Sequence, residues 1–301
     1  VDFWPYQKPA KENNVPARTL ANLRSTYTAL RADPDWVKTY SLSSRYFHLL
    51  GPMYSGKPQV YEAFYNWMAP LGTGLLNQHA GPEMFNLLGA RYIVFDRTDL
   101  QMDQRIAAQF RQAYPVALEN EDFVVFSNAA ASAYVTGYAR ACAHVGDIRQ
   151  SAALALKLSA QRWPLIEWDG AGQAGRFEAV YREGMPVVLP KRAGQLVNFS
   201  DLRLARDNAG LIRIRLNSPA SCLAVVAESW FPFWRAEVDG KPVPVLRVSC
   251  GLMGVELPAG SHEIVLRYRT PGSYAVAGIV SLIALAVGCV ATIGSCRAGR
   301  S

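Results

Sequence analysis

Charge is scarce in this sequence, and what there is never concentrates. Asp, Glu, Lys and Arg make up 18% of 301 residues, 31 basic against 24 acidic, and no Lys/Arg run exceeds two. So dilute an excess forms no phosphate-tracking stripe, which argues against a nucleic-acid-binding protein. The 4 histidines and 5 cysteines are few and scattered. His48, His79, His144 and His262 lack carboxylate or thiol companions at ligand spacing, so neither a metal nor a cofactor is expected. No Gly-x-Ser-x-Gly elbow occurs, which leaves nucleophilic hydrolysis without its usual strand-to-helix turn. The one glycine-rich run, Gly170-Ala-Gly172-Gln-Ala-Gly175, is followed by an extended stretch at Phe177 to Tyr181. It also lacks an acidic residue about 20 positions on, so it reads as a loop and not as a dinucleotide site.

What is present in quantity is apolar surface. Half of the chain is hydrophobic, with 7 Trp, 14 Tyr and 12 Phe. Between Pro271 and Cys296 there is no charged residue, and the stretch is apolar on all sides of a helix. Roughly 20 residues at about 1.5 Å each give about 30 Å, the depth of a bilayer's hydrocarbon layer. Residues 273–296 are therefore expected to form a transmembrane helix and 297–301 a short basic tail. The lipid bilayer becomes the first expected partner. Arg267 and Arg269 before the span balance Arg297 and Arg300 after it, so charge alone assigns no orientation.

The rest of the chain divides by pattern. Residues 1–82 read as an irregular, partly helical, aromatic-rich opening segment. Leu20, Leu23, Tyr27 and Leu30 recur on one helical face before Asp33-Pro34, and Trp36 to Leu42 looks like a strand. Residues 43–82 mix seven aromatics with Gly, Pro and Asn. So long a loop within a compact domain points to function or to a missing partner surface. Residues 83–170 alternate short strands and helices, an α/β layer. After residue 170 the period becomes two. Ile212, Ile214 and Leu216 alternate with arginines, Asp239-Gly240 signals a two-residue hairpin, and Ile264, Leu266 and Tyr268 alternate again. Residues 171–272 are thus expected to be an antiparallel β-sandwich or jelly roll, and the whole chain α+β.

Candidate contact residues come from exposed aromatics beside acids. Glu228-Ser-Trp-Phe-Pro-Phe-Trp234 carries four aromatics on a strand end that cannot turn them all inward. Aromatic faces stack on sugar rings, and Glu228, Glu237 or Asp239 would accept sugar hydroxyls. The competing reading has Trp230 and Trp234 filling the core while Phe231 and Phe233 cover the membrane-proximal end. Trp230, Trp234 and Asp239 form one candidate binding set, and Tyr61, Tyr65 and Trp67 in the long loop a second. Cys222 and Cys250 are candidates for a bridge only in an oxidising compartment.

The run Glu228 to Leu246 (ESWFPFWRAEVDGKPVPVL), then Gly254 to Arg269 (GVELPAGSHEIVLRYR), then the terminal apolar stretch resembles the C-terminus of YfhO-type bacterial membrane proteins. Leu87 to Asp96 (LLGARYIVFD) and Phe123 to Asn128 (FVVFSN) are similar to upstream strands of that family. Phe233 departs from a usual glycine, and Ala131-Ser132 from a frequent Pro-Arg pair. The resemblance implies a multi-spanning glycosyltransferase of the cytoplasmic membrane, GT-C-like in fold, acting on cell-envelope glycans with a lipid-linked sugar donor. It further implies an acidic catalytic loop among membrane helices N-terminal to this region, so no catalytic residue is assigned here. Those helices, the acceptor glycan and the lipid-linked sugar are then its implied partners. On that view the large domains are extracytoplasmic, the tail is cytoplasmic, and this region is accessory or acceptor-binding. Val1 in place of Met fits a fragment or processed chain. A non-enzymatic β-sandwich module binding envelope glycan or a partner protein is the alternative.

Overall fold

A computed structural model describes residues 15–42, 53–58, 82–99, 104–146, 152–170, 174–182, 184–208, 210–249, 251–269 and 281. The elements are α1 (Ala17–Leu30), β1 (Lys38–Leu42), α2 (Pro82–Leu87), β2 (Ala90–Asp96), α3 (Gln104–Ala113), β3 (Val116–Glu119) and β4 (Phe123–Ser127). β5 (Val135–Tyr138), β6 (Cys142–Val145), α4 (Ala152–Ala160), β7 (Leu165–Trp168), β8 (Val180–Arg182) and β9 (Leu196–Val197) follow. The chain then runs through β10 (Ser200–Asn208), β11 (Leu211–Ser218), β12 (Cys222–Ser229), β13 (Trp234–Val238), β14 (Lys241–Val243), β15 (Leu246–Val248), β16 (Leu252–Leu257) and β17 (Gly260–Tyr268).

Three sheets organise these strands. The first has the order β1-β2-β4-β3, with β1 parallel to β2 and the rest antiparallel. Alternation along it explains both of its faces. Val94, Phe123 and Val125 meet Leu23, Tyr27 and Leu30 of α1, while Ile93, Phe95, Val124 and Phe126 point the other way, onto Met84 and Phe85 of α2. Leu20, expected on the buried face of α1, is 39% exposed.

The second sheet is fully antiparallel, β10-β11-β17-β13-β14. The third is larger, β8-β6-β7-β15-β16-β12-β5-β9, parallel among β8, β6 and β7 and antiparallel from there on. It draws strands from both sides of residue 170. β12 shows why it is central: Cys222, Ala224 and Val226 face the second sheet, whereas Leu223 and Val225 face the helical layer. A strand buried on both faces has no polar side to alternate with, which accounts for its unbroken apolar run from Cys222 to Ala227. The fold is therefore β-rich and mixed α+β with antiparallel sheets, the last two sheets enclosing a sandwich core.

Two local expectations meet the structure directly. Asp239 (φ 52°) and Gly240 (φ 75°) both adopt left-handed backbone and join Val238 to Lys241, the geometry of a type I′ hairpin. After Gly170 the chain makes a 3₁₀ turn at Ala174–Arg176, and no dinucleotide-binding helix follows among the described residues. Among those residues no helix is long and apolar enough to cross a membrane; the expected span at 273–296 lies outside them apart from Ser281. Cys222 is a free buried thiol next to Ser218 Oγ at 3.4 Å, while Cys250 lies outside the described residues.

Candidate binding site

The aromatic strand end separates into buried and half-buried parts. Trp234 opens β13 directly opposite Tyr268 of β17 and is 5% exposed within the sandwich core. Tyr268 gathers the neighbouring rings edge-on, with Phe231, Phe233 and Trp234 at centroid distances of 6.3, 6.1 and 5.5 Å. Trp230 is half-buried; its Nε1 donates to Val245 O at 3.3 Å, and the Arg247 guanidinium lies 5.3 Å from the ring centroid. Of the two tryptophans expected at the site, Trp230 keeps an accessible edge and Trp234 is core.

Asp239 is occupied by the neighbouring strand β17. Its Oδ1 accepts the Glu263 backbone N–H at 2.9 Å, and its Oδ2 meets His262 Nδ1 at 2.7 Å. The Glu263 amide, followed by the His262 ring, holds the Asp239 carboxyl below the usual carboxylate range. These bonds fix the hairpin tip against β17. Tyr61, Tyr65 and Trp67 lie outside the described residues.

A second arrangement leaves no local trace in the sequence. Where the approach to β1, the 131–135 turn and β10 meet, a cleft of about 440 Å³ is lined by Asp35, Trp36, Arg91, Ser132, Tyr134 and Leu204, among others. Half-buried Trp36 forms its aromatic wall, backed by Tyr134 at 3% exposure, with centroids 5.5 Å apart and rings inclined at 56°. Tyr134 Oη donates to Glu228 Oε2 at 2.8 Å, and Arg206 Nη1 meets the same oxygen at 3.2 Å. Burial, then the Glu228 carboxylate, push the Tyr134 phenol's pKa upward, so it stays a donor at any ordinary pH.

Lys38 belongs to the same charge cluster. It opens β1 and is 5% exposed. Burial drives its pKa down, Glu228 opposes that shift, and Arg206 adds to it. The cluster locks the Tyr134 ring behind Trp36, so the Trp36 face and a mixed polar rim are set before any ligand arrives. β1 reads Lys-Thr-Tyr-Ser-Leu, whose polar residues give no sign that its opening lysine is buried. Nothing local pairs Tyr134 with Glu228, which is 94 residues away. Among the described residues no group of three or more His, Cys, Asp or Glu is placed to hold a metal.

Comparison with known proteins bears on the same end of the chain. Residues 232–280 match the family described as bacterial membrane protein YfhO. The match starts in the aromatic strand end, takes in the pinned hairpin and β17, and continues into the apolar stretch. The chain thus carries a YfhO-like region there. No curated protein and no solved structure matches the chain.

Proposed function

We propose that this chain is the C-terminal extracytoplasmic region of a multi-spanning membrane glycosyltransferase, anchored by residues 273–296. Its role is accessory, binding the acceptor glycan, while catalysis with the lipid-linked donor belongs to membrane helices elsewhere in the protein. The observation that carries this reading is the family match across 232–280, which joins the sandwich to the apolar stretch. Trp36 at the cleft and the exposed edge of Trp230 are the surfaces suited to a sugar ring. Trp234 is unsuitable for testing recognition, since truncating a buried Trp costs about 3–5 kcal/mol of stability by itself.

The test replaces Trp36 and Trp230 separately by Ala in the full-length protein and measures transfer beside membrane abundance. Loss of one stacking contact of about 1 kcal/mol should lower transfer about fivefold at unchanged abundance. Normal transfer by both variants would sink the acceptor-binding role. In intact spheroplasts, added protease should digest the sandwich, and full protection would overturn the extracytoplasmic placement.

A further inference from the structure

The last turn of the sandwich before the apolar stretch has an unusual surface. Arg235 and Arg267 stand directly opposite each other on β13 and β17. Like charges in that position repel, and sheets ordinarily avoid the pairing. Arg269 follows two residues on, and its backbone N–H donates to Phe233 O at 3.0 Å. All three side chains are exposed, and among the described residues none has a carboxylate partner. Arg235 instead donates to the carbonyls of Pro232 and Trp234, at 2.9 and 3.0 Å, holding the aromatic turn in place. That turn presents half-buried Phe231 and Phe233 around Tyr268.

Half-buried aromatic rings beside unpaired cations match the chemistry of a bilayer's interfacial layer, where rings sit at headgroup depth and guanidiniums meet phosphates. Chain length adds an independent constraint. Residue 273 follows Arg269 so closely that, at about 3.3–3.6 Å per residue, this surface lies within about 14 Å of the start of the apolar stretch. We infer that the Phe231–Arg235 turn and Arg267–Arg269 form a foot that docks the sandwich onto anionic phospholipid headgroups. This rests on the reading of 273–296 as a membrane anchor. The foot relieves the Arg235–Arg267 repulsion through lipid phosphate and sets the tilt of the sandwich on the membrane.

The full chain, with Cys250, Cys289 and Cys296 replaced by Ser, is reconstituted into phosphatidylcholine vesicles with or without phosphatidylglycerol. A fluorophore is placed at Phe233→Cys or, at the opposite end of β17, at Ala259→Cys. With nitroxide-labelled lipid present, quenching at 233 should clearly exceed that at 259 and rise further with phosphatidylglycerol. Arg267→Gln combined with Arg269→Gln leaves Arg235 on its carbonyls and should abolish the phosphatidylglycerol dependence, each cation near the surface contributing about fivefold. Circular dichroism of each variant checks that the sandwich is folded. Alkaline extraction of the unlabelled chain separates the two ideas. Release from vesicles overturns the anchor and the docking with it. A chain that stays anchored but is quenched equally at 233 and 259 overturns the docking alone.

Discussion

Lys38 is buried under the influence of the Glu228 carboxylate, which already serves Tyr134 and Arg206. Its pKa is lowered chiefly by burial. A lysine depressed in the folded state binds fewer protons there than in the unfolded chain. Its destabilising effect is therefore full below the lowered folded value and fades as pH rises from there to 10.5. Lys38→Met should raise stability at pH 7 by about 1 kcal/mol, since Glu228 keeps Tyr134 and Arg206 as partners. It should also remove the alkaline rise expected of the wild type; a lower melting temperature at pH 7 would show that the ammonium is needed. Asp239 has the opposite sign. Its carboxyl is depressed below 3.8, so its contribution is present above that value and lost as pH falls through the lower folded one. Asp239→Asn keeps a residue that tolerates left-handed backbone, and thermal melts should show its deficit against wild type shrinking below about pH 4. A deficit constant with pH would remove the carboxylate from the account.

At the scale of elements, the segment between β8 and β9 is fastened at several points along its length. Tyr181 Oη donates to Val188 O at 3.1 Å, and Trp163 Nε1 to Arg192 O at 2.9 Å. Gly194 N donates to Gln161 O at 2.8 Å, and a Cβ added at Gly194 would overlap Arg162 O. A backbone oxygen cannot step aside as a side chain can, so Gly194→Ala must break this fastening. A loss of about 1–3 kcal/mol in chemical denaturation is expected, and wild-type stability would mean the segment is free to shift. Elements like the β13–β14 hairpin are legible in the sequence, because Asp-Gly specifies its turn locally. So is β11, whose arginines mark the solvent side. β3 and β6 are not. Each has only four residues; β3 is largely exposed, with no apolar alternation to mark it, and β6 is buried by partners supplied by other parts of the chain.

For the whole molecule, the sequence pattern distinguishes an alternating layer from a period-two region but not how they share strands. That sharing is set by pairings with no local trace: Val135 of β5 against Val226 of β12, and Val248 of β15 against Ile166 of β7. The charge cluster at the cleft is hidden for the same reason, since β1, β10 and β12 supply its members. The shared sheet also has a consequence for synthesis. β5 leaves the ribosome 91 residues before the strand position it pairs with, the difference between 226 and 135. At roughly 5–20 residues per second, the edge it will offer to β12 waits about 5–18 s for a partner. During that interval the nascent chain holds an apolar, unpaired strand edge of the sort that recruits other chains. A chain stopped after Ser221 should therefore be recovered in aggregates, whereas one reaching Arg269 should stay dispersed. Equal solubility of the two products by sedimentation would mean that β5 finds shelter before β12 is made.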